Sequence, residues 1–166
     1  MRIALIGYGK MGKAIEEIAM QKGHEIALKI DLDNAADLNE KNLQAVDVAI
    51  EFTGPASAFD NIKKCIEAGT PVVSGSTGWL ESWNEIKNYC DEKQGTLLYA
   101  SNYSIGVNLF FELNTFLAKL MEPYSQYDVQ LEEIHHTQKK DSPSGTAISL
   151  AKQIITENSN HIINYD

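Results

Sequence analysis

The 166-residue chain contains few cysteines and few basic residues. Its two cysteines, Cys65 and Cys90, lie far apart and form no Cys-x-x-Cys pair, so neither a zinc site nor a disulfide framework is indicated. A reducing cytosol is the default compartment for such a chain. Its 14 lysines and arginines against 23 acidic residues give a net charge of −9. This charge disfavours nucleic acid or an anionic membrane as the main partner.

Long apolar runs are also missing. The first one, Ile3 to Ile6, is interrupted by glycines and is too short for a signal-peptide core or a membrane span. Apolar residues make up 43% of the chain and charged residues 22%, which is typical of a soluble globular protein. We therefore expect a cytoplasmic protein that does not contact a membrane.

The chain does contain an alternation of strand and helix patterns. Short apolar segments predict five strands, at Ile3–Ile6, His24–Asp31, Val46–Phe52, Thr70–Gly75 and Thr96–Ala100. Helical spacing between them predicts helices at Met11–Met20, Ala56–Ala68 and Leu80–Lys93, and the polar segment Leu32–Ala45 is expected to be a loop or short helix. Such alternation predicts an α/β domain with a Rossmann-like, doubly wound parallel sheet.

A turn-rich connector, "SNYSIGVN", follows Ala100 and indicates a domain boundary. The predicted domains are a dinucleotide-binding domain at 1–103 and a second domain at 104–166. The second domain is expected to be α+β, with helices at Leu109–Met121 and Gly145–Asn158 and a strand at Tyr127–His135, where apolar and polar residues alternate.

The segment "GYGKMG" has the G-x-G-x-x-G spacing directly after a strand and at the start of a helix. The first glycine permits a tight turn, the second lets the backbone approach a pyrophosphate, and the third lets helix and strand pack closely. An acid about twenty residues further on binds the adenosine ribose in such folds. The alternative is an ordinary turn followed by a loop-capping acid. The predicted cofactor-binding residues here are Gly7, Tyr8, Gly9, Lys10, Met11, Gly12 and Asp31.

The segment "SGSTGW" follows the fourth predicted strand, at the edge of the sheet where open parallel sheets bind ligands. Its small and hydroxyl-bearing residues suit the nicotinamide half of a dinucleotide. An ordinary strand-to-helix turn is the alternative.

The segment "EEIHHTQKKDSPSGTA" fits neither a helix face nor an alternating strand. Its charges alone favour a solvated surface loop. However, Ser144, Gly145 and Thr146 open a helix, whose N-terminus binds anions. Together with the histidines and a lysine, they predict a carboxylate-binding pocket that contains a proton donor. Zinc is disfavoured because adjacent histidines on a strand point to opposite faces, so no metal is predicted.

This last segment resembles the signature of the 4-hydroxy-tetrahydrodipicolinate reductase (dihydrodipicolinate reductase) family. The matching residues are Glu133, His135, His136, Lys139, Asp141, Pro143, Ser144, Gly145 and Thr146, with Ser142 in place of the usual alanine. The resemblance extends to the glycine turn, "EFTGP", "GSTGW" and "ASNYSIGVN". It implies NAD(P)H-dependent reduction of a dicarboxylate substrate in lysine and diaminopimelate biosynthesis.

The resemblance also implies roles for individual residues. His135 would be the general acid/base and Lys139 a second donor near the reacting centre. His136, with the Ser144–Thr146 helix start, would bind substrate carboxylates. Cofactor contacts are implied for Gly75, Ser76 and Thr77 and for Ala100, Ser101, Asn102 and Tyr103.

Three further expectations follow from the resemblance. The family forms a homotetramer, and it continues beyond the last helix, so the second domain is expected to be incomplete. NADH is the expected cofactor, with NADPH as the second option, because Asp31 repels a 2′-phosphate and Leu32 replaces a basic residue common in NADPH users. The alternatives are another imine reductase or amino-acid dehydrogenase, or a catalytically silent dinucleotide-binding module.

Overall fold

The computed structural model of the chain describes residues 1–135, 137 and 142–157. These residues belong to two compact units, Met1–Ala100 and Ser101–Asp166. The domain limits expected at 103 and 104 stay a prediction.

The first unit is built on one parallel sheet of five strands. The strands are β1 (Arg2–Ile6), β2 (Glu25–Ile30), β3 (Val48–Glu51), β4 (Val72–Ser74) and β5 (Leu97–Tyr99), in the order β2-β1-β3-β4-β5. The five predicted strands and the parallel, doubly wound sheet are confirmed. β1 occupies an interior position because its residues Ile3 to Ile6 are apolar on both faces and are buried against helices on both sides.

Helices connect the strands at the predicted places. They are α1 (Lys10–Gln21), α2 (Glu40–Leu43), α3 (Pro55–Glu67) and α4 (Trp83–Glu92). Two short 3-10 turns, Leu32–Asp37 and Leu80–Ser82, precede α2 and α4. The segment expected to be a loop or short helix is thus a 3-10 turn followed by α2.

Both cysteines lie in the core of the first unit. Cys65 is fully buried and Cys90 is 8% exposed. Burial, with the negative charge of Glu51 adding to it, raises the pKa of the Cys65 thiol to about 12. A protonated, enclosed thiol is a packing group rather than a nucleophile. Within the described ranges, no cluster of His, Cys, Asp and Glu side chains could hold a metal ion.

The second unit contains two helices, α5 (Ile105–Met121) and α6 (Gly145–Glu157). They contact each other through Asn114, whose Nδ2 donates to Leu150 O at 3.1 Å and to Gln153 Oε1 at 3.0 Å. Many large apolar side chains of α5 stay exposed, namely Ile105, Leu109, Phe110, Leu113, Phe116, Leu117 and Leu120. None of the described helices is long and apolar enough to span a membrane.

The prediction of a strand at Tyr127–His135 is wrong. These residues have no regular secondary structure. Alternation alone cannot make a strand, because a strand also needs a neighbour to accept and donate its ladder hydrogen bonds. The described part of the second unit contains no other strand that could serve as that neighbour.

Candidate functional site

The strand order places a topological switch point between β1 and β3. The crossover from β1 leads to β2 on one side, whereas β3 lies on the other side. Open α/β sheets bind ligands in the crevice outside the carboxyl ends of the strands at this point. Two backbone hydrogen bonds hold the carboxyl edge of the sheet at this point. Gly7 N donates to Ile30 O at 2.9 Å, and Phe52 N donates to Ile6 O at 2.8 Å.

The three glycines of the turn meet three different surroundings. Gly7 has a φ of +93°, and a Cβ there would lie 2.2 Å from the carbonyl oxygen of Phe52. A Cβ on Gly12 would lie 2.4 Å from the carbonyl oxygen of Gly7. In contrast, a Cβ on Gly9 would meet no atom within 4 Å. The first and third glycines therefore permit close packing, while the open face at Gly9 is where a ligand can approach the backbone.

The N-terminus of α1 is suited to an anion. Gly9 is its N-cap and has no side chain to cap the helix, and the first turn carries no acidic residue. The first N–H groups of a helix have no intrahelical acceptor and carry partial positive charge. Lys10 and Met11 in this first turn are exposed. The arrangement fits a pyrophosphate.

Tyr8, between the first two glycines, is held by a small charged cluster. Its hydroxyl donates to Glu16 of α1, and Lys29 Nζ of β2 lies 2.6 Å from Glu16 Oε1. The Lys29 ammonium also lies 4.9 Å from the centre of the Tyr8 ring. The hydrogen bond from Lys29, followed by that from Tyr8, lowers the pKa of Glu16. Sequence reasoning missed Glu16 and Lys29, because their connection to the turn depends on tertiary neighbours.

Asp31 lies just after β2, is exposed, and caps the following 3-10 turn. Its Oδ1 accepts from Leu32 N at 2.9 Å, and its own N–H donates to Asn34 Oδ1 at 2.8 Å. The capping role that was the alternative interpretation is therefore present. It does not preclude ribose binding, because a carboxylate has about four acceptor positions.

The loops after β3 and β4 are joined by Glu51, a residue to which sequence reasoning gave no role. Its side chain is fully buried, and it accepts hydrogen bonds from Ser74 Oγ at 2.6 Å and from Ser76 Oγ at 2.9 Å. It also accepts from Thr53, through the backbone N–H at 2.9 Å and through the hydroxyl. In the sequence it is simply the acid that follows the three apolar residues Val48 to Ile50, which did not mark it out.

The candidates Gly75, Ser76 and Thr77 differ in what they contact. A Cβ on Gly75 would lie 2.2 Å from the ring of Phe52, so close packing requires this glycine. Ser76 is buried, with its hydroxyl bonded to Glu51 and its carbonyl accepting from the Trp79 indole at 2.7 Å. Thr77 alone of the three presents an exposed side chain.

The candidates from Ala100 to Tyr103 fall on both sides of the unit division. In the first unit, Ala100 N donates to Ser74 O at 3.3 Å. In the second unit, Asn102 shapes the start of α5, since its Oδ1 accepts from Ser104 N at 2.8 Å. Ser101 and Tyr103 are exposed.

In the second unit, Glu133 joins His135 to the start of α6. Its Oε2 lies 2.8 Å from His135 Nε2, and its Oε1 accepts from Ser144 N at 2.7 Å. Ser144 is buried and caps α6, with its Oγ accepting from Ala147 N at 3.0 Å. Hydrogen bonds from the Ser144 side chain and backbone, and then from His135, lower the pKa of Glu133 to about 2.

Of the other candidate residues in this segment, the structure describes two and leaves two out. Gly145 and Thr146 form the first turn of α6, with Gly145 exposed and Thr146 half-buried. His136 and Lys139 lie outside the described residues, as does Asp141 of the signature.

The lowered pKa of Glu133 predicts a pH dependence. A carboxyl group that is more acidic when folded stabilises the fold above its ordinary value of 4.5 and loses that contribution as the pH falls toward about 2. We expect the second unit to unfold more easily across this interval, and Glu133→Gln to weaken the dependence. Urea unfolding followed by circular dichroism at a series of pH values measures this. Identical pH profiles for the parent and the variant would contradict it.

Comparison with known proteins gives a consistent result for both units. Residues 1–103 match the family model described as "Dihydrodipicolinate reductase, N-terminus", and residues 106–164 match "Dihydrodipicolinate reductase, C-terminus". A 4-hydroxy-tetrahydrodipicolinate reductase from Christiangramia forsetii is 51% identical over 96% of this chain and 66% of its own length. Another from Bdellovibrio bacteriovorus is 40% identical over 90% of this chain and 65% of its own length.

A solved structure agrees with the sequence relatives. The dipicolinate-bound dihydrodipicolinate reductase from Paenisporosarcina sp. TG-14 superposes with a TM-score of 0.72 at 26% identity, over 99% of this chain and 69% of that chain. The chain thus spans about two thirds of the length of the curated relatives it matches.

Proposed function

Because the chain belongs to the dihydrodipicolinate reductase family, we propose that it carries out the NAD(P)H-dependent reduction of 4-hydroxy-tetrahydrodipicolinate to tetrahydrodipicolinate in lysine and diaminopimelate biosynthesis. The observation that carries the proposal is the glycine turn at the switch point, with an open face at Gly9 above an uncapped helix N-terminus.

The proposed cofactor site lies along the carboxyl edge of the sheet. Gly9 and the first N–H groups of α1 would bind the pyrophosphate, with Lys10 as a nearby positive charge, and Asp31 would accept from the adenosine ribose. Thr77 and the Ala100–Tyr103 segment would face the nicotinamide half. A bound nicotinamide supplies the hydride.

The chain's own residues must then deliver a proton. Hydride arriving at an electron-poor ring carbon conjugated to an imine leaves a carbanionic enamine in the substrate, and a positioned acid must protonate it. His135 is the proposed donor, and its hydrogen bond to Glu133 fixes the orientation of the ring. Lys139 is the proposed second donor.

The substrate's carboxylates need N–H and cationic donors. We assign this task to the start of α6, at Ser144, Gly145 and Thr146, and to His136. In the structure the N–H of Ser144 is already bonded to Glu133, so Gly145 and Thr146 supply the next N–H groups of that helix start. Glu133 thereby sets the distance between the proton donor and the carboxylate site.

Assembly and compartment complete the proposal. A homotetramer in the cytoplasm is proposed, with a small dicarboxylate as the substrate and neither nucleic acid nor membrane as a partner. The exposed apolar residues of α5 support self-association, since a surface of this kind usually marks an interface. The buried free thiols of Cys65 and Cys90 are typical of a reducing compartment.

The test follows the absorbance of the reduced cofactor. The proposal expects oxidation of NADH that depends on added 4-hydroxy-tetrahydrodipicolinate. Oxidation with a different cyclic imine but not with this substrate would favour another imine reductase. NADH binding without any oxidation would favour a silent dinucleotide-binding module. Either of these last two results would overturn the proposal.

The exposed acid after β2 predicts a preference for NADH. The Asp31 carboxylate can accept from a ribose 2′-OH but repels a 2′-phosphate, and the neighbouring Leu32 is 95% exposed and offers no charge. Asp31→Asn keeps a capping oxygen but removes the negative charge. The ratio of the NADPH Kd to the NADH Kd should therefore be about tenfold smaller in the variant than in the parent. Calorimetry with both cofactors measures this. Tighter NADPH binding by the parent would contradict the prediction and would point to Lys10 or Lys13 as a phosphate ligand.

A further inference from the structure

We propose that Glu51 is a positioning residue, which holds the loops after β3 and β4 in the geometry that dinucleotide binding requires. The inference rests on the proposed function and adds a residue that does not itself face the crevice.

The first argument is the completeness of its hydrogen bonding. Its two carboxylate oxygens accept from Ser74, from Ser76 and twice from Thr53. Every one of these partners is a donor, which matches an acceptor-only carboxylate. In the part of the chain that the structure describes, no buried side-chain nitrogen or oxygen lacks a hydrogen-bond partner.

The second argument is the cost of burial. A fully buried carboxylate loses its hydration, and a well-packed apolar group of similar size usually gives equal or better stability. Stability alone therefore does not explain an acid at the end of β3. Its bonds from Thr53 and Ser76 instead tie the two loops to each other, and its bond from Ser74 ties both to the end of β4, which an apolar side chain could not do.

The third argument is where those loops lie. Thr53 is exposed and follows Phe52, whose carbonyl oxygen lies against Gly7 and whose ring lies against Gly75. A displacement of Thr53 would therefore reach both the glycine turn and the Gly75–Thr77 segment. Two side chains of α3 extend the network, since Ser57 Oγ and Asn61 Nδ2 donate to Thr53 Oγ1 at 3.0 Å and 3.3 Å.

Removing the carboxylate should therefore weaken cofactor binding. In Glu51→Ala the Thr53 N–H and the Ser76 hydroxyl lose their shared acceptor, and only the bond from Thr53 N to Ser76 Oγ, at 2.9 Å, still joins the two loops. In Glu51→Gln the amide oxygen can still accept from Thr53 and Ser76, while the amide nitrogen can donate to the Ser74 hydroxyl. The alanine variant should raise the NADH Kd by about tenfold or more, and the glutamine variant should recover most of the loss.

A matched control exists at the opposite end of β4. Thr70 is buried, and its hydroxyl donates to Leu43 O at 2.9 Å, at the amino edge of the sheet. Thr70→Val removes that buried bond without touching the carboxyl-edge loops. It should lower the thermal midpoint while leaving the NADH Kd unchanged.

The experiment titrates NADH into the 166-residue chain and into each variant. The readout is quenching of the fluorescence of the only two tryptophans, Trp79 and Trp83, with calorimetry as a check.

If Glu51→Ala folds and binds NADH like the parent, the inference is overturned. It is also overturned if Thr70→Val raises the Kd as much as Glu51→Ala does. If Glu51→Ala does not fold, Ser76→Ala replaces it, and parental NADH affinity in Ser76→Ala rejects the inference. A parent that binds no NADH overturns the proposed function as well.

Discussion

His135→Gln and Lys139→Ala are each expected to lower kcat for reduction of 4-hydroxy-tetrahydrodipicolinate by about 10²–10⁴-fold, the usual contribution of a positioned general acid. For His135 the structure supplies a reason beyond the sequence signature. Its Nε2 is bonded to Glu133, a carboxylate whose lowered pKa keeps it ionised at neutral pH. The hydrogen bond holds the imidazole ring in one orientation, as a positioned general acid requires.

Steady-state kinetics together with NADH titration test this assignment. The NADH Kd should hardly change in either variant, because neither residue is among the proposed cofactor contacts. His136→Ala is the informative comparison: a residue that binds a carboxylate already in the ground state should mainly raise the substrate KM. If the segment is only a solvated charged loop, all three variants will have parental kinetics.

Gly7→Ala is expected to have the largest effect on the first unit. A φ of +93° is unfavourable for alanine, and its Cβ would lie 2.2 Å from the backbone oxygen of Phe52. The backbone conformation alone costs about 1–3 kcal/mol. Relief of the clash must also displace β3 or the turn itself. Both the free energy of unfolding and the affinity for NADH should therefore fall.

Gly9→Ala is the matched control, because a Cβ there meets no protein atom within 4 Å. This variant should unfold like the parent in denaturant titrations, yet bind NADH more weakly, since its methyl group occupies the face where a pyrophosphate would approach. Unchanged NADH affinity in Gly9→Ala would mean that the dinucleotide does not use this turn. Unchanged stability in Gly7→Ala would contradict the packing argument.

Much of the first unit could be predicted because its signals are local. A buried parallel strand such as β1 is apolar at consecutive positions, and each helix after it shows its own periodicity. The tight turn at Gly7 and the close packing at Gly12 could be predicted from the spacing of the motif together with the strand before it and the helix after it. The predicted strand at Tyr127–His135 failed because pairing depends on a distant partner, which the local pattern does not reveal.

The charged and polar networks of the site could not be predicted from the sequence, because they too depend on partners that are distant along the chain. Glu16 and Lys29 are ordinary surface residues of a helix and a strand until the fold brings them to Tyr8. Glu51 is one acid among the 23 acidic residues of the chain, and only burial among hydroxyl donors distinguishes it. The capping bond from Ala147 N to Ser144 Oγ is local, whereas the bond from Ser144 N to Glu133 joins residues that are 11 positions apart in the sequence.

The strand order also has a consequence for how the chain can fold during its own synthesis. Once β1 and β2 have paired, β3 joins the free side of β1, β4 joins β3, and β5 joins β4. Each strand that leaves the ribosome therefore extends an existing edge, and none has to insert between two strands that are already bonded. Because the sheet grows in one direction from β1 onward, translation and folding of the first unit can proceed in the same order without any rearrangement of earlier pairs.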